Sequence, residues 1–167
     1  MKKKYIERLK CVKITQKGFL KKMKTVELQK YLITAIEKEE KIRICHYKDK
    51  YTVTDGYKAW FVPDCQFYLK EECFSKPLSE SFVKGLTPDY YKVDLLKKTG
   101  VEKRFDKITA VELKNPEDET IWINKIAMKF FDKEATFKGT DKRSVIYVYE
   151  KEELVGVIMP FIPREKD

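Results

Sequence analysis

The residues of this chain that could do chemistry at a phosphate are two acids and a lysine in its middle. Pro88-Asp89 is followed, 23 residues after the aspartate, by Glu112-Leu113-Lys114. Two carboxylates so placed could hold Mg²⁺, and the lysine could polarise an attacking water or the phosphate. The reaction would be hydrolysis of a phosphodiester.

The same residues also have a plain explanation in the composition. Their spacing has the form of the PD-(D/E)xK nuclease signature, but Glu-x-Lys recurs at Glu39-Glu40-Lys41, and Asp89 falls in a proline-rich stretch. The sequence contains no Walker loop, zinc motif or nucleophile elbow. We therefore predict a protein that is not an enzyme and needs no cofactor, and we keep a nuclease as an alternative.

The cysteines do not form a pattern that binds metal. Cys11, Cys45, Cys65 and Cys73 have no CxxC spacing, and His46 is the single histidine. Zinc sites need ligands in close pairs, so we expect no metal site and reduced thiols. Neighbours on a strand point to opposite faces, which argues against Cys45 and His46 as a catalytic dyad.

Without an export signal or an apolar run of membrane-spanning length, the chain is expected to be cytoplasmic, with no membrane partner.

Lysine dominates the charge. Lysine and arginine together number 36 against 27 acids, a formal net charge of +9. Such an excess favours polyanionic partners through phosphate neutralisation. Two groups of lysines are candidates for contact with double-stranded DNA without base readout: Lys125, Lys129 and Lys133, at i, i+4 and i+8 of an expected helix, and Lys21, Lys22 and Lys24. Either group could equally be a solvated surface.

The elements that must position these residues follow from hydrophobic periodicity. Thr25 is a plausible N-cap of a helix to about Glu39, whose apolar stripe is Leu28, Tyr31, Leu32, Ala35 and Ile36. Alternating residues then predict strands around 42–44, 51–54 and 59–62, with Asp55-Gly56 as a hairpin turn. Residues 64–108 are irregular but rich in aromatic residues, and we expect them to pack on the fold, with a short helix at 94–100.

The second half has the clearest organisation. A strand at 121–123 precedes a helix from Asn124 to Phe131, and three strands follow at about 135–137, 145–149 and 154–159. The last strand is nearly all apolar, which is typical of a strand with both faces buried. The chain is thus expected to be one α+β domain over residues 1–167, made of two strand–helix–three-strand halves with antiparallel sheets.

Three segments resemble the bacterial DNA sliding clamp, the beta subunit of DNA polymerase III. Residues 52–58 (TVTDGYK) resemble its ATDGHR-type hairpin, and residues 156–162 (GVIMPFI) resemble its closing VIMPMRL-type strand. Residues 123–131 (INKIAMKFF) resemble its NPKYLLDAL-type helix start, although the proline is absent. The clamp chain carries three such domains, whereas this chain is long enough for one.

The resemblance implies a clamp-like domain, of phage or mobile-element type, that acts as a DNA replication accessory or processivity factor. Helices would line a ring around duplex DNA, and the chain would form a homo-oligomer, with a hexamer matching the ring. Replication proteins would dock short apolar peptides into a pocket between protomers, formed by Thr54, Gly56, Tyr57, Met159, Pro160 and Phe161. The alternative is a small interaction module that uses the fold without encircling DNA.

Overall fold

The computed structural model describes residues 24–74, 76–86, 88 and 93–163. Their elements, in chain order, are α1 (Thr25–Glu37), β1 (Arg43–Tyr47), β2 (Lys50–Thr54), β3 (Lys58–Pro63), β4 (Lys76–Pro77), α2 (Glu80–Gly85), β5 (Asp94–Phe105), β6 (Ile108–Lys114), β7 (Thr120–Asn124), β8 (Thr136–Gly139), β9 (Ile146–Glu150) and β10 (Glu153–Ile158). Short 3-10 turns lie at Asp64–Gln66, Glu71–Cys73 and Lys125–Met128.

The ten strands form one sheet in the order β4-β1-β2-β3-β10-β9-β8-β5-β6-β7. All neighbouring pairs are antiparallel except β1 and β4. The fold is therefore rich in sheet and poor in helix. Two three-stranded meanders, β1-β2-β3 and β8-β9-β10, meet where Ala59 of β3 pairs with Val157 of β10.

The helix predicted from Thr25 is confirmed. Leu28, Leu32 and Ala35 are buried, because the i, i+4, i+7 spacing places them on one face against the sheet. The N-cap prediction is wrong: the cap residue is Lys24, which offers no side-chain hydrogen bond. Packing of the apolar face holds the first turn without a cap.

The predicted burial of the last strand is confirmed at Val155, Gly156, Val157 and Ile158. β10 lies between β3 and β9, so both its edges are paired. Beyond β10 the chain crosses to β7, where Phe161 forms an isolated antiparallel bridge with Trp122. This bridge pairs one residue on the outer edge of β7, the last strand in the sheet order.

The predicted helix from Asn124 to Phe131 is wrong beyond its first turn. Asn124 does cap, since its side-chain oxygen accepts from the Ile126 amide at 3.1 Å. Only the 3-10 turn to Met128 follows. After this turn, burial of Phe130 and Phe131 and the hydrogen bond from the Asp132 amide to the Glu150 carboxylate at 2.7 Å hold the chain in a non-helical path.

The helix predicted at residues 94–100 is also wrong, because this segment is the first part of β5. Leu96 pairs with Phe137 of β8, and Lys98 pairs with Leu113 of β6. Pairing on both sides outweighs the helical propensity of the leucines and lysines. Gly100, expected just past a helix end, has φ +81° where the β5–β6 register shifts.

The second face of the sheet is covered by the segment between β3 and β5. Val83 of α2 packs with Leu78 against Cys45. Leu86 and Val93 pack on a second cluster formed by Ala59, Phe61, Tyr147 and Val157. The expectation that this aromatic-rich stretch packs on the fold is confirmed at Phe67 and Phe74, which join the main core, whereas Tyr68 and Phe82 are about half exposed.

Candidate nucleic-acid and peptide interfaces

The hairpin between β2 and β3 is held by its own side chains. The Thr54 hydroxyl donates to the Lys58 carbonyl at 2.7 Å and accepts from the Gly56 amide at 3.0 Å. The Asp55 carboxylate accepts from the Tyr57 and Lys58 amides and pairs with the Lys58 ammonium. Gly56 has φ +95°, which explains the glycine at this turn. The predicted hairpin is confirmed.

This hairpin lies beside the end of β10. The Met159 amide donates to the Tyr57 carbonyl at 2.8 Å. Tyr57 is 76% exposed and Met159 42% exposed, so both residues of this backbone pair present side chains to solvent. The two stretches adjoin within one chain, whereas the resemblance implied that they meet only between protomers.

The remaining residues predicted to dock a peptide are less available. Thr54 is only 5% exposed, and Pro160 is partly buried. The Phe161 amide donates to the Trp122 carbonyl at 2.6 Å, and the Phe161 ring lies 5.5 Å from that of Phe105. Phe161 therefore packs against β7 and the β5–β6 hairpin instead of facing Tyr57.

The segments that carry two of the lysines predicted to contact DNA, Lys24 and Lys129, adjoin although they are far apart in sequence. The Lys24 amide donates to the Phe130 carbonyl at 3.0 Å, which brings the start of α1 against the segment after β7. Lys129 is exposed, and its ammonium lies 5.4 Å from the Phe130 ring centroid. Lys21 and Lys22 lie outside the described residues.

The expected helical line of Lys125, Lys129 and Lys133 does not exist, because no α-helix passes through these positions. Lys125 pairs with Glu102 of β5 at 2.7 Å. The carbonyl of Lys133 accepts from the Lys98 ammonium at 3.0 Å. Burial lowers the pKa of Lys98, an effect that its acidic neighbours oppose. Lys129 and Lys133 thus remain exposed on an irregular segment.

The residues of the nuclease alternative are only partly described. Asp89 lies outside the described residues. Glu112 and Lys114 are two apart on β6 and so share a face. The Glu112 carboxylate accepts from the Thr120 hydroxyl at 3.1 Å, and Lys114 pairs with Asp118 at 2.7 Å. Within the described ranges, no three His, Cys, Asp or Glu side chains are grouped to hold a metal ion.

Cys45 and His46 point apart, as predicted from their neighbouring positions on β1. Cys45 is buried beside Leu78, and this burial raises the pKa of its thiol. The His46 ring lies 4.6 Å from the Tyr51 ring at a tilt of 32°, and its Nε2 lies 2.9 Å from the Asp64 carboxylate. The contact with Asp64 was not predicted, because only the β2–β3 pairing brings residue 64 back beside β1.

Comparison of the chain with protein-family models, with curated proteins and with solved structures finds no match. In the part of the chain that the structure describes, no helix has the length and apolar character needed to cross a membrane.

Proposed function

We propose that the protein is a non-enzymatic, DNA-associated factor that contacts duplex DNA without reading bases, as a clamp-like replication accessory or processivity factor. The strand order supports this reading. Two meanders meet at β3 and β10, and each is preceded by a helical segment, α1 or the Lys125–Met128 turn. The two segments adjoin, since the Tyr31 ring lies 5.2 Å from the Phe130 ring.

The observation that carries the proposal is the hydrogen bond from the Lys24 amide to the Phe130 carbonyl. It joins the start of α1 to the segment that carries Lys129 and Lys133, and we call Lys24, Lys129 and Lys133 the lysine face. Their side chains are exposed, and ammonium groups can follow phosphates as point charges without base specificity.

The rest of α1 limits how far this face extends. Its exposed side also carries Glu27 and Glu37, which would repel phosphates. Contact with DNA is therefore proposed for the end of α1 at Lys24 and for the segment after β7, and not for the whole length of the helix.

The test compares two triple variants of equal net charge. Lys24→Gln/Lys129→Gln/Lys133→Gln removes the lysine face, and Lys41→Gln/Lys70→Gln/Lys107→Gln removes three exposed lysines elsewhere. Fluorescence anisotropy with duplexes of unrelated sequence gives the affinity at several salt concentrations. We expect the lysine-face variant to lower the slope of log K against log salt by about 2 to 3, since each phosphate contact contributes about 0.9.

Equal losses in the two variants would mean that net charge alone attracts DNA, and would overturn the assigned face. A strong preference among duplexes of different sequence would contradict contact with the DNA backbone alone.

Mass determination in solution, with and without DNA, tests the expected homo-oligomer: a hexamer fits a closed ring, and a monomer favours the interaction module.

The interaction module is the second candidate, and the exposed pair Tyr57 and Met159 favours it. If this surface docks short apolar peptides, Tyr57→Ala should abolish peptide binding measured by NMR titration and leave DNA affinity unchanged.

The nuclease alternative predicts magnesium-dependent cleavage of plasmid DNA that is lost in Glu112→Ala.

A further inference from the structure

A groove runs along the outer side of β5. Its floor is formed by Leu95, Lys97 and Thr99, which alternate on the strand and so share a face, and Lys98 also lines the groove. Its wall is the end of β6 and the following turn: Lys114, Asn115, Pro116 and Asp118. The cavity measures about 440 Å³, room for several water molecules or a small polar ligand.

The wall of the groove is firmly held. Asn115 is 8% exposed, its side-chain oxygen accepts from the Glu119 amide at 2.8 Å, and its amide nitrogen donates to the Thr140 carbonyl at 3.1 Å. The turn is thus tied to the residue that follows β8. A ligand would meet a groove that is already formed, which reduces the entropy lost on binding.

The charges in the groove are unbalanced. Lys97 and Lys114 are direct partners in the β5–β6 register, and like charges facing each other across strands repel. The Lys114 ammonium pairs with Asp118 at 2.7 Å, whereas the Lys97 ammonium has no hydrogen-bond or ion-pair partner among the described residues. Three lysines, Lys97, Lys98 and Lys114, therefore line the groove with one carboxylate, that of Asp118, and Glu112 lies beside Lys114 on β6.

That carboxylate is open to solvent. The Asp118 side chain is 81% exposed, and its backbone has φ +64°. An exposed ion pair of this kind contributes little free energy, so another anion can compete for Lys114. A phosphate group offers more charge and more acceptor oxygens than the carboxylate.

We propose that this groove is a phosphate-binding site in which Lys97 and Lys114 hold one phosphate group and Asp118 occupies the site when phosphate is absent. Leu95, 62% exposed on the floor, offers apolar contact to the group that carries the phosphate. The phosphate can be free or part of a phosphodiester, and both present the same oxyanion.

The position of the groove favours a phosphodiester of DNA, which rests on the proposed function. Lys98, next to Lys97 on β5, donates to the Lys133 carbonyl, so the groove strand adjoins the lysine face. Bound DNA would pass from one set of lysines to the other.

The experiment titrates the full chain with inorganic pyrophosphate at constant ionic strength and follows the Leu95 methyl signals by NMR. Wild type should show saturable shifts. Lys97→Gln should weaken the affinity about 5-fold, near the upper range for an exposed charge pair. Asp118→Asn, which removes the competitor and keeps a residue that tolerates positive φ, should strengthen it about 2- to 5-fold.

Asp106→Asn is the matched control for Asp118→Asn, because Asp106 is also an exposed turn aspartate with positive φ, at +50°. It makes the same change in net charge and should leave the affinity unchanged. Equal strengthening in the two Asp→Asn variants, or an unchanged affinity in Lys97→Gln, would overturn the site.

A second arm uses duplex DNA in place of pyrophosphate and distinguishes the sources of phosphate. If Lys97→Gln weakens both ligands, the site holds a phosphodiester. If it weakens pyrophosphate alone, the site binds small phosphates and the DNA link fails. If DNA binding depends on the lysine face while pyrophosphate gives no saturable shift, the proposed function stands and the groove proposal falls.

Discussion

The two halves of the molecule cover the sheet in different ways before each meander begins. In the first half, α1 places Leu28, Leu32 and Ala35 on the sheet over thirteen residues of regular helix. In the second half, a four-residue 3-10 turn is followed by Phe130 and Phe131, which are each 3% exposed. Two aromatic side chains thus fill space that a helix fills in the other half.

The difference shows how a short connection satisfies the hydrogen-bonding groups of its backbone without forming a helix. The Asp132 amide donates to the buried Glu150 carboxylate at 2.7 Å, and the Lys133 carbonyl accepts from Lys98. These side chains replace the i→i−4 bonds that a helix would make for itself. The first half depends on periodicity, and the second depends on particular tertiary partners.

Phe131→Ala breaks the second half most strongly. We expect a loss of about 3–5 kcal/mol in the free energy of unfolding, near the top of that range, because the ring lies over Gly156, which has no side chain to fill the cavity. Leu32→Ala in α1 should cost about 2–5 kcal/mol. Urea denaturation measures both losses. A loss below 1 kcal/mol for Phe131→Ala would contradict the idea that the buried phenylalanines do in the second half what α1 does in the first.

Gly156→Ala tests the same contact from the sheet side. A Cβ at this position would lie 2.5 Å from the Ala59 carbonyl oxygen and 2.7 Å from the Phe131 ring, so we expect destabilisation of about 1–3 kcal/mol. Phe131→Leu in the same chain should recover part of the loss. Gly85→Ala is the control, since its Cβ would contact nothing, and it should be neutral or stabilising. Additive losses in the double variant would show that the ring is not the obstacle.

The helix starts differ in capping, and exchanging the caps sharpens the comparison. Asn124→Ala removes the bond to the Ile126 amide and should destabilise by about 1 kcal/mol. Lys24→Ser supplies a cap that α1 lacks and should stabilise by about 0.5 kcal/mol. Thermal unfolding compares the two variants. A Tm shift of the same sign for both would contradict the assignment of Asn124 as a capped start and of Lys24 as an uncapped one.

The smallest effect concerns the turn inside the second meander. Hydrogen bonds from the Arg143 amide, the Ser144 hydroxyl and the Ser144 amide lower the pKa of Asp141. A carboxyl with a lowered folded pKa stabilises above its unfolded pKa of about 4, and the gain disappears as pH falls through the folded pKa. Asp141→Asn should therefore be slightly less stable than wild type at pH 6, with the difference shrinking below about pH 4. A constant difference between pH 6 and pH 2 would exclude this titration.

The local patterns in the sequence predicted the elements whose structure depends on near neighbours. The stripe at Leu28 and Leu32, the turn at Asp55-Gly56 and the apolar run in β10 all appear in the structure. Period and turn chemistry suffice there, because helix and hairpin contacts join residues close in sequence.

The long-range partners could not be predicted. The segment with Leu95 and Leu96 was predicted as a helix because its own sequence favours one. It is a strand only because it pairs with β6 and β8. The same error hid the groove, because Lys97 faces Lys114 only when both lie on paired strands. The adjacency of Tyr57 and Met159 likewise depends on the pairing of β3 with β10.

The central position of β10 has a consequence for synthesis. A ribosome releases β3 well before it has added residues 153–158, so the edge of β3 that pairs with Gly156, Val157 and Ile158 stays open until then. Open edges recruit other strands, and pairings between distant segments form slowly. Nascent chains that stop before residue 153 therefore expose an unpaired strand edge at residues 58–60 that can aggregate. A chaperone that shields this edge would raise the yield of folded protein.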